Sequence, residues 1–564
     1  MTTIHERLPV CTGLALLALT RFCFAEPETG LIGHWKLAGD CRDSSPQENH
    51  GINHGVDLDD PDGARFDGIA DYVEVPDSQS LRLATSDFSV AVWVYTESEL
   101  DDVLGDILSK YDPETRTGFN LSLMNYAGVT SAQSNWRNLL FGIDAGKIDS
   151  QWTDCGRPGN NLYVKALAVH DGDLYAATWE PGEGEAGHLY RYQAPASWID
   201  CGNPDLANAV TALAVYQGKL YAGVEHYSGG GSALPLSPNT NPGGKVYRYE
   251  GGTQWTDCGK VGDVVSVSGL AVFRGVLYAG TGTTGDPRDM PRTRGLYRYD
   301  GGTNWTSCGC PGLRVVHVAV YNGDLYGLSY DEGGFFRYEG QTSWTRLGPV
   351  PDTTQVYSLA VFQGKIHVGT WPTGSVFRYE GPQTWAHCGR LGEEKEVMGM
   401  AVYNGKLYAG TLPLGAVYRY DGDGRWTSTG RLDDTPDVKY RRVWSMAVYD
   451  GKLFAGTLPA GHIWSLAAGK CVTHDRALAP GWRHVAAVKS AGRLRLFVDG
   501  ECVAASSAFN AADYDLSNRQ PLRIGLGEHD YFNGRLKDLR IYNRALADED
   551  VRALARPESP SPRI

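Results

Sequence analysis

The chain has 564 residues, of which 42% are hydrophobic and 21% charged, a composition that predicts several folded domains and excludes a disordered chain. The 70 glycines and 31 tyrosines, beside only 6 methionines, favour many short strands joined by tight turns. The net charge of −14, without a basic segment, argues against nucleic acid or an anionic membrane as a partner.

Residues 1–25 have the pattern of a secretory signal peptide. Arg7 lies in a short polar start and precedes the apolar core CTGLALLALT over residues 11–20, which is too short to span a bilayer. A misassigned start of translation is the alternative. No later stretch reaches the ~18 consecutive apolar residues of a membrane span. We therefore expect a protein that is secreted, or held at the cell surface or in the periplasm, without membrane insertion.

The next segment, residues 26–146, alternates apolar and polar side chains. The pattern is clearest in GLIGHWKL (30–37), FDGIADYVEVPDSQSL (66–81) and FSVAVWVY (88–95). Alternation with a period of two predicts strands that bury one face.

Residues 147–466 contain an internal repeat. Its most visible marker is a tryptophan, present in seven copies spaced by 39 to 57 residues: Trp152, Trp198, Trp255, Trp305, Trp344, Trp385 and Trp426. Repeats of this length are typical of propeller blades. A clean copy, VMGMAVYNGKLYAGTLPLGAVYRYDGDGRWTSTG over 397–430, predicts four strands, because Asn-Gly and Asp-Gly between apolar runs indicate hairpins.

The count of repeats predicts how the ring closes. Residues 152–156 precede any first strand, and we expect them to be the outer strand of a seventh blade whose third strand is 462–466. The phrase lavy-GKLYaG…vYRYdgg-x-W resembles kelch-type propeller repeats, although the double glycine of kelch is Ala-Gly-Thr here. The resemblance implies a seven-bladed β-propeller.

The segments on the two sides of the repeat belong together. GWRHVAAV, RLRLFVDG and NGRLKDLRIYNRAL, from residues 467–555, and FDGIADYVEVP before the repeat resemble the laminin-G-like jellyroll of the concanavalin A-like lectin/glucanase class. That fold needs both halves, so we predict an all-β chain: an antiparallel jellyroll sandwich, 26–146 and 467–555, interrupted by the propeller, with a disordered tail over 556–564. Insertion is tolerated because the first and last blades bring the chain ends close.

Nine cysteines remain after removal of the signal segment. Five occupy one repeat position shortly after the tryptophan, and we expect them to pack as small apolar side chains between blades: Cys155, Cys201, Cys258, Cys308 and Cys388. Cys471 and Cys502 fall in predicted jellyroll strands and are candidates for a disulfide in an oxidising compartment, with Cys41 as a competing partner. The resemblance also implies a calcium site at Asp67, Asp71 and Asp538, since carboxylate oxygens suit a hard cation; ordinary surface acids are the alternative.

No complete catalytic motif is present. A regular arginine series on the third strands is expected to form repeated cross-strand pairs with nearby Asp or Glu rather than a catalytic cluster. Recognition by propellers usually uses the variable loops between second and third strands and between blades. Aromatic, carboxylate and arginine residues there suit sugar stacking and hydroxyl hydrogen bonds, and the candidates are Trp179, Glu180, Glu225, His226, Tyr227, Asp286, Arg288, Asp331, Trp371, Tyr440 and Arg441. Solvated loops without a ligand are the alternative.

These features favour a secreted, non-catalytic binding or adhesion protein that recognises extracellular carbohydrate or protein. One rival is a propeller enzyme, either a sialidase-like glycoside hydrolase or a lyase, with acids that converge at the loop-rich face. Another is a structural cell-surface module that uses the propeller for protein contacts alone. Apart from calcium, the sequence implies no cofactor.

Overall fold

The computed structural model describes residues 28–125, 132–146, 151–282 and 294–556. The predicted signal segment 1–25 and residues 557–564 of the predicted tail lie outside the described residues. The described chain is almost entirely β-structure, as predicted, and short 3-10 turns are formed by Gln79–Leu81, Gly230–Ser232, Asp331–Gly333 and Ala511–Asp513. No helix among the described residues is long and apolar enough to cross a membrane.

The strands before the repeat follow the alternating segments of the sequence. They are β1 (Leu31–Trp35), β2 (Ile52–His54), β3 (Ala64–Asp67), β4 (Tyr72–Val75), β5 (Phe88–Thr96), β6 (Asp106–Asp112), β7 (Thr117–Met124) and β8 (Asn138–Ala145).

In the described part of the chain, the repeat region forms seven four-stranded antiparallel blades, of which the first two are joined into one sheet where Trp179 lies opposite Ala209. The short strand β9 (Thr153–Asp154) precedes the first blade in the chain. The first three blades are β10 (Tyr163–His170), β11 (Asp173–Trp179), β12 (Leu189–Gln193), β13 (Ser197–Asp200); β14 (Ala209–Tyr216), β15 (Lys219–Glu225), β16 (Lys245–Gly251), β17 (Gln254–Lys260); and β18 (Val267–Phe273), β19 (Val276–Thr281), β20 (Gly295–Gly301), β21 (Asn304–Ser307). The next three are β22 (His317–Tyr321), β23 (Asp324–Leu328), β24 (Phe335–Gly340), β25 (Ser343–Arg346); β26 (Gln355–Phe362), β27 (Lys365–Trp371), β28 (Ser375–Gly381), β29 (Thr384–Arg390); and β30 (Glu396–Tyr403), β31 (Lys406–Leu412), β32 (Ala416–Tyr420), β33 (Trp426–Arg431). The seventh contains β34 (Arg442–Tyr449), β35 (Lys452–Leu458) and β36 (Ile463–Leu466).

The remaining elements complete the sandwich. They are β37 (Lys470–His474), β38 (Gly481–Ser490), β39 (Arg493–Val498), β40 (Glu501–Ala505), β41 (Leu522–Ile524), β42 (Asn533–Tyr542) and the helix α1 (Asp548–Leu554). One sheet has the order β1-β42-β5-β38-β39-β40, with β3 also paired to β42, and the other has the order β2-β4-β41-β6-β7-β8-β37. Each sheet mixes strands from both ends of the chain.

The two sheets enclose one apolar core, which includes Trp35, Phe88, Phe141 and Leu536. Strands β6, β7 and β8 are buried along almost their whole length, because one face of their sheet packs on this core and the other face packs on the propeller. The propeller leaves the sandwich between two paired neighbours, since Ile143 of β8 lies opposite Lys470 of β37.

The propeller ring closes as predicted. Strand β9 pairs with β36, where Asp154 lies opposite Trp464 and Thr153 lies opposite Ser465. The earliest strand of the repeat region therefore completes the last blade, which joins the two ends of the ring through backbone hydrogen bonds. The tight turns between first and second strands use two residues with positive φ, as in Asn404 (46°) and Gly405 (73°), the conformation that the right-handed twist of a hairpin favours.

Neighbouring blades are linked by the repeated tryptophans. Five of the seven indoles donate to a backbone carbonyl of the preceding blade at 2.8–3.1 Å, and the acceptor is each time a repeated cysteine: Trp198 to Cys155, Trp255 to Cys201, Trp305 to Cys258, Trp344 to Cys308 and Trp426 to Cys388. These five cysteines are at most 5% exposed and free, which confirms that they pack as small side chains between blades.

The predicted disulfide between Cys471 and Cys502 is wrong, since both thiols are free, as is Cys41. The two residues lie in strands of different sheets. Cys471 points into the core cluster between jellyroll and propeller, whereas Cys502 is exposed. Burial raises the pKa of the Cys471 thiol to about 12, which keeps it protonated and unreactive.

The jellyroll covers the propeller face that carries the tight turns. In five blades a backbone N–H of the tight turn donates to the jellyroll, as from Arg274 to the Leu100 carbonyl at 2.7 Å and from Gln363 to the Glu528 carbonyl at 2.9 Å. In a sixth blade the side-chain amide of Asn404 donates to the Ile143 carbonyl. The segment 132–135, between β7 and β8, also enters the axis, where Asn135 forms hydrogen bonds with both the N–H and the carbonyl of Val448. The jellyroll therefore closes one end of the central channel.

A buried ion pair between Lys406 of the propeller and Asp144 of the jellyroll supports this docking. The two side chains are 2% and 3% exposed. We predict that Lys406→Met lowers the free energy of unfolding by about 3 kcal/mol, because it leaves Asp144 charged and buried. The double variant Lys406→Met/Asp144→Asn should be more stable than Lys406→Met alone. Urea unfolding followed by tryptophan fluorescence measures both.

The matched control is the exposed pair between Arg476 and Asp171, which also links jellyroll and propeller with side chains 59% and 68% exposed. Arg476→Gln should change stability by less than about 1 kcal/mol. Equal effects of Lys406→Met and Arg476→Gln would contradict a special role for the buried pair.

Candidate ligand-binding cavity on the propeller axis

A cavity of about 350 Å³ lies on the propeller axis, and every blade contributes to its wall. The wall is formed by the beginnings of first strands, the ends of second strands and the loops beside them. The cavity therefore opens on the loop-rich face, opposite the jellyroll. Its volume lies in the range of small-molecule sites.

The local structure of the first strands explains which side chains reach the axis. In six blades a fully buried valine stands near the start of the strand and packs between blades: Val164, Val210, Val267, Val356, Val397 and Val443. Residues directly before or after these valines line the cavity, because successive side chains of a strand point to opposite sides. A register shift follows each of these valines, and such bulges re-aim side chains.

Two of the cationic side chains in the cavity are paired. Lys165 Nζ lies 3.6 Å from Glu225 Oε2 and 3.8 Å from the centre of the Tyr227 ring. Burial lowers the pKa of Lys165 and raises that of Glu225, although Lys165 opposes the latter shift. Arg314 Nε donates to Asp331 Oδ2 at 3.1 Å.

Arg442 differs from these two cations. Its Nη1 donates to the hydroxyl of Ser232 and its Nη2 donates to the carbonyl of Gly231 at 3.2 Å. Its Nε has no hydrogen-bond partner among the described residues, and within the same ranges no carboxylate forms an ion pair with it. The residue is 7% exposed.

His317 is a neutral imidazole beside aromatic rings. Its Nε2 lies 3.1 Å from the Tyr330 hydroxyl, while its Nδ1 has no partner in the described structure. Burial, reinforced by Lys165 and Arg314, lowers the pKa of His317 to about 3. The ring of Tyr330 lies 4.3 Å from that of Tyr357.

Glu396 is the remaining acid of the wall and is 2% exposed. Burial raises the pKa of its carboxyl to about 7, against the opposing influence of Arg442 and a hydrogen bond from Tyr357. Its Oε1 and the indole Nε1 of Trp444 also lack partners among the residues described. Four buried polar atoms that line the cavity thus have no hydrogen-bond partner among the described residues: His317 Nδ1, Glu396 Oε1, Arg442 Nε and Trp444 Nε1. This pattern is typical of sites that bind polar ligands or water.

Four of the predicted binding residues line this cavity: Glu225, Tyr227, Trp371 and Tyr440. Trp179 and Asp331 support it from behind. Trp179 is fully buried and its indole donates to the Tyr227 carbonyl at 3.1 Å, whereas Asp331 holds Arg314 in place.

The other predicted residues lie elsewhere. Glu180 accepts from the Tyr190 hydroxyl at 2.9 Å in a separate cavity between the first two blades. His226 Nε2 lies 3.0 Å from the Asn239 carbonyl, and Arg441 Nε donates to the Thr435 carbonyl at 2.7 Å; both contacts organise loops. Asp286 and Arg288 lie outside the described residues.

The cavity residues that sequence reasoning missed lie in first strands or beside them, and the main ones are Lys165, Arg314, His317, Glu396, Arg442 and Trp444. A signal was present: the valine and the following small and apolar residues repeat from blade to blade, whereas the positions that flank the valine vary. Variation inside a repeated strand indicates side chains that face something other than the neighbouring blade.

Two of the predicted calcium ligands lie together, since the backbone N–H of Asp71 donates to Asp67 Oδ1 at 3.1 Å, but Asp538 lies apart from them. Asp67 Oδ1 accepts the backbone N–H of Ile69 at 2.7 Å and organises a turn, whereas Asp538 pairs with His34 at 2.7 Å and with Arg540 at 2.9 Å. Asp67 lies opposite Asn533, so Asp538 is about 17 Å further along the same strand. Among the described residues no group of three or more His, Cys, Asp or Glu side chains is arranged for a metal ion, and calcium binding stays a prediction.

The arginine series of the third strands pairs with nearby acids, but the closest contacts lie mostly within one strand rather than across strands as predicted. The contacts run from 2.5 to 3.2 Å: Arg191 with Asp173, Arg248 with Glu250, Arg298 with Asp300, Arg337 with Glu339, Arg378 with Glu380 and Arg419 with Asp421. Most of these acids are two residues further along the same strand, and only Asp173 lies across from its arginine. The series does not contribute to the cavity.

Comparisons with known proteins agree with the composite architecture. The model of the concanavalin A-like lectin/glucanases superfamily matches residues 443–552, which span the seventh blade and most of the second jellyroll segment. Together with the sheet order, this match supports a laminin-G-like jellyroll combined with a seven-bladed propeller. No curated protein matches the chain in sequence.

Several solved structures resemble the chain at low identity. A streptogramin B lyase covers 56% of this chain and 97% of its own length, with 8% identity and a TM-score of 0.44. A virginiamycin B lyase from Staphylococcus aureus covers 56% and 98%, with 9% identity and a TM-score of 0.42. A protein of unknown function from Bacteroides thetaiotaomicron covers 71% and 94%, with 11% identity and a TM-score of 0.33.

From the raised pKa of the Glu396 carboxyl we predict that the free energy of unfolding depends on pH. Because its folded-state pKa of about 7 exceeds the ordinary value, the stability that it contributes is present at pH 4.5 and is lost as the pH rises through 7. Glu396→Gln removes this loss, so the variant should gain about 3 kcal/mol relative to the wild type between pH 4.5 and pH 8. Thermal unfolding at both pH values measures the difference.

Glu380→Gln is the control. Burial opposes ionisation of Glu380, but hydrogen bonds from Arg378 and Lys365 outweigh it and lower the pKa of the carboxyl. Glu380→Gln should therefore lose stability relative to the wild type as the pH rises. A pH-independent difference between Glu396→Gln and the wild type would contradict the raised pKa.

Proposed function

We propose that the protein is a secreted, non-catalytic binding protein whose propeller cavity holds a sugar residue of an extracellular glycan. One observation carries the proposal: aromatic side chains and four buried polar atoms without partners among the described residues line the same cavity of about 350 Å³. Sugars offer both surfaces that such a wall complements, an apolar ring face and a rim of hydroxyl groups.

The aromatic side chains are placed for stacking. Trp371 and Tyr440 are only partly buried at the cavity, and their rings lie 6.4 Å apart and almost perpendicular. Deeper in the cavity, Trp444 packs edge-to-face on Tyr163 at 5.5 Å. A ring that stacks on the partly buried pair can direct its hydroxyls to the polar atoms below.

The arrangement of the two folds supports an extracellular binding role. Laminin-G-like domains generally bind extracellular ligands, and the predicted signal segment implies export. The jellyroll occupies the tight-turn face of the propeller and leaves the loop-rich face accessible, so docking of the domains does not obstruct the cavity.

A second candidate function rests on His317. A neutral imidazole with a nitrogen that has no partner in the described structure can donate or accept a hydrogen bond at a reacting group, and Glu396 with its raised pKa can donate a proton. This pair favours the enzyme alternative, a hydrolase or lyase that acts on the bound sugar. Incubation of glycans with the purified protein separates the two functions: turnover abolished by His317→Ala would replace binding by catalysis.

A glycan array tests the binding function. We predict that the mature chain binds a defined set of immobilised glycans and that Trp444→Phe weakens this binding at least about tenfold, because the unsatisfied indole N–H is lost while the ring is retained. The measurement is the apparent dissociation constant on the array and in solution.

Trp464→Phe is the matched control, because the indole nitrogen of Trp464 is also buried without a partner among the described residues but lies outside the cavity wall. This variant should bind as the wild type does. A silent array would contradict glycan binding and favour the protein-interaction alternative.

A further inference from the structure

Arg442 is a buried cation without an anionic partner among the described residues. A guanidinium cannot lose its proton in a protein, so this side chain carries a full positive charge at 7% exposure. Burial of a charge without a counter-ion is strongly unfavourable. The two hydrogen bonds of Arg442, to Ser232 and Gly231, go to neutral oxygens.

We propose that the sugar residue bound in the cavity is acidic, and that its carboxylate binds to Arg442. This inference rests on the proposed binding function and adds the chemical class of the ligand. The ligand is then a hexuronate or a related carboxylated sugar rather than a neutral sugar.

Among the described contacts no other charged group of the cavity forms an ion pair with Arg442, although Glu396 is close enough to attract it. Lys165 and Glu225 compensate each other at 3.6 Å, and Arg314 is compensated by Asp331 at 3.1 Å. Glu396 is the acid of the cavity that Arg442 influences most directly. It forms no ion pair with Arg442 among the described contacts, and its Oε1 has no partner there. With a pKa of about 7, Glu396 is protonated in a large fraction of molecules at neutral pH and can donate a hydrogen bond.

The donors that remain free on Arg442 suit a carboxylate. A guanidinium has five N–H groups, and the two hydrogen bonds to the loop 230–232 use one each on Nη1 and Nη2. The Nε–H has no partner in the described ranges and forms, with a neighbouring Nη–H, the planar edge that binds carboxylates in a bidentate manner. Trp444, two residues further along β34, adds its indole N–H as a third donor on the same side of the strand.

The experiment compares sugars that differ only in charge. Isothermal titration of the full mature chain uses four sets of probes: galacturonate and glucuronate oligosaccharides, their methyl esters, the neutral galactose and glucose equivalents, and sulfated galactose oligosaccharides. We expect one of the two uronates to bind at least about tenfold more tightly than its own methyl ester, because a charge-assisted bidentate contact is lost in the ester.

Variants assign this preference to Arg442. Arg442→Gln should abolish the difference between acid and ester, and Arg442→Lys should retain only part of it, since lysine keeps the charge but lacks the planar edge. Arg441→Gln is the matched control: this neighbour donates to Thr435, does not line the cavity and should leave the preference intact. If Arg442→Gln does not fold, the comparison of acid with ester on the wild-type protein still decides.

The outcomes separate the two proposals. Equal affinity for acid, ester and neutral sugar would overturn the acidic-ligand inference and leave glycan binding standing. Tighter binding of the sulfated oligosaccharide than of both uronates would overturn the carboxylate assignment as well. Failure of every sugar on both the array and the titration would remove the proposed function itself.

Discussion

The hydrogen bond between the tryptophan of one blade and the backbone carbonyl of the blade before it sets the geometry of the molecule. A four-stranded sheet cannot bury both of its faces alone, so each blade must pack on its neighbours. Apolar packing is not directional, but the indole N–H is, and it meets a carbonyl at 2.8–3.1 Å in five of seven cases. The cysteine at the acceptor position is small enough to let the indole approach. The bond is missing between the fourth and fifth blades: Leu347 of the fourth blade replaces that cysteine, and the indole of Trp385 in the fifth blade has no partner among the described residues.

This constraint determines what lies on the axis. Once the angle between blades is set, the first strands converge, and the side chains beside their buried valines face one another across a small space. Stability alone would favour apolar residues there, because buried polar groups without partners are unfavourable. The protein instead places Arg442, Glu396, His317 and Trp444 at this point with unsatisfied atoms. Departures from local consistency are expected at functional sites, and these four residues bring such atoms together in one cavity.

The sequence predicts the architecture better than it predicts the cavity, for a physical reason. The same turn and the same tryptophan occur in seven copies with the same local geometry. The four-stranded blade, the number of blades and the closure of the ring by residues 152–156 therefore follow from the repeat. The loops identified Glu225, Tyr227, Trp371 and Tyr440, because loop residues near the axis vary visibly. Arg442 and His317 lie within strands, where the repeated residues draw attention and a bulge changes which side chain faces inward. The Cys471–Cys502 pairing was wrong because strand patterns do not show which sheet a strand joins, and they do not show how far Asp538 lies from the other predicted calcium ligands either.

The insertion of the propeller into the jellyroll has a consequence for access to the axis. An isolated propeller has a channel that opens at both faces, through which water can reach every axial side chain. Here residues 132–135 of the jellyroll bond to first strands of the ring, and a jellyroll sheet covers the turns around them. The channel becomes a cavity with one entrance, in which a lower local dielectric strengthens each polar contact to a ligand. The jellyroll thus acts on the propeller site without lining it, and its second sheet, which packs against the first through the sandwich core, faces away from that entrance. The free face of the jellyroll and the entrance of the axial cavity therefore lie at opposite ends of the molecule.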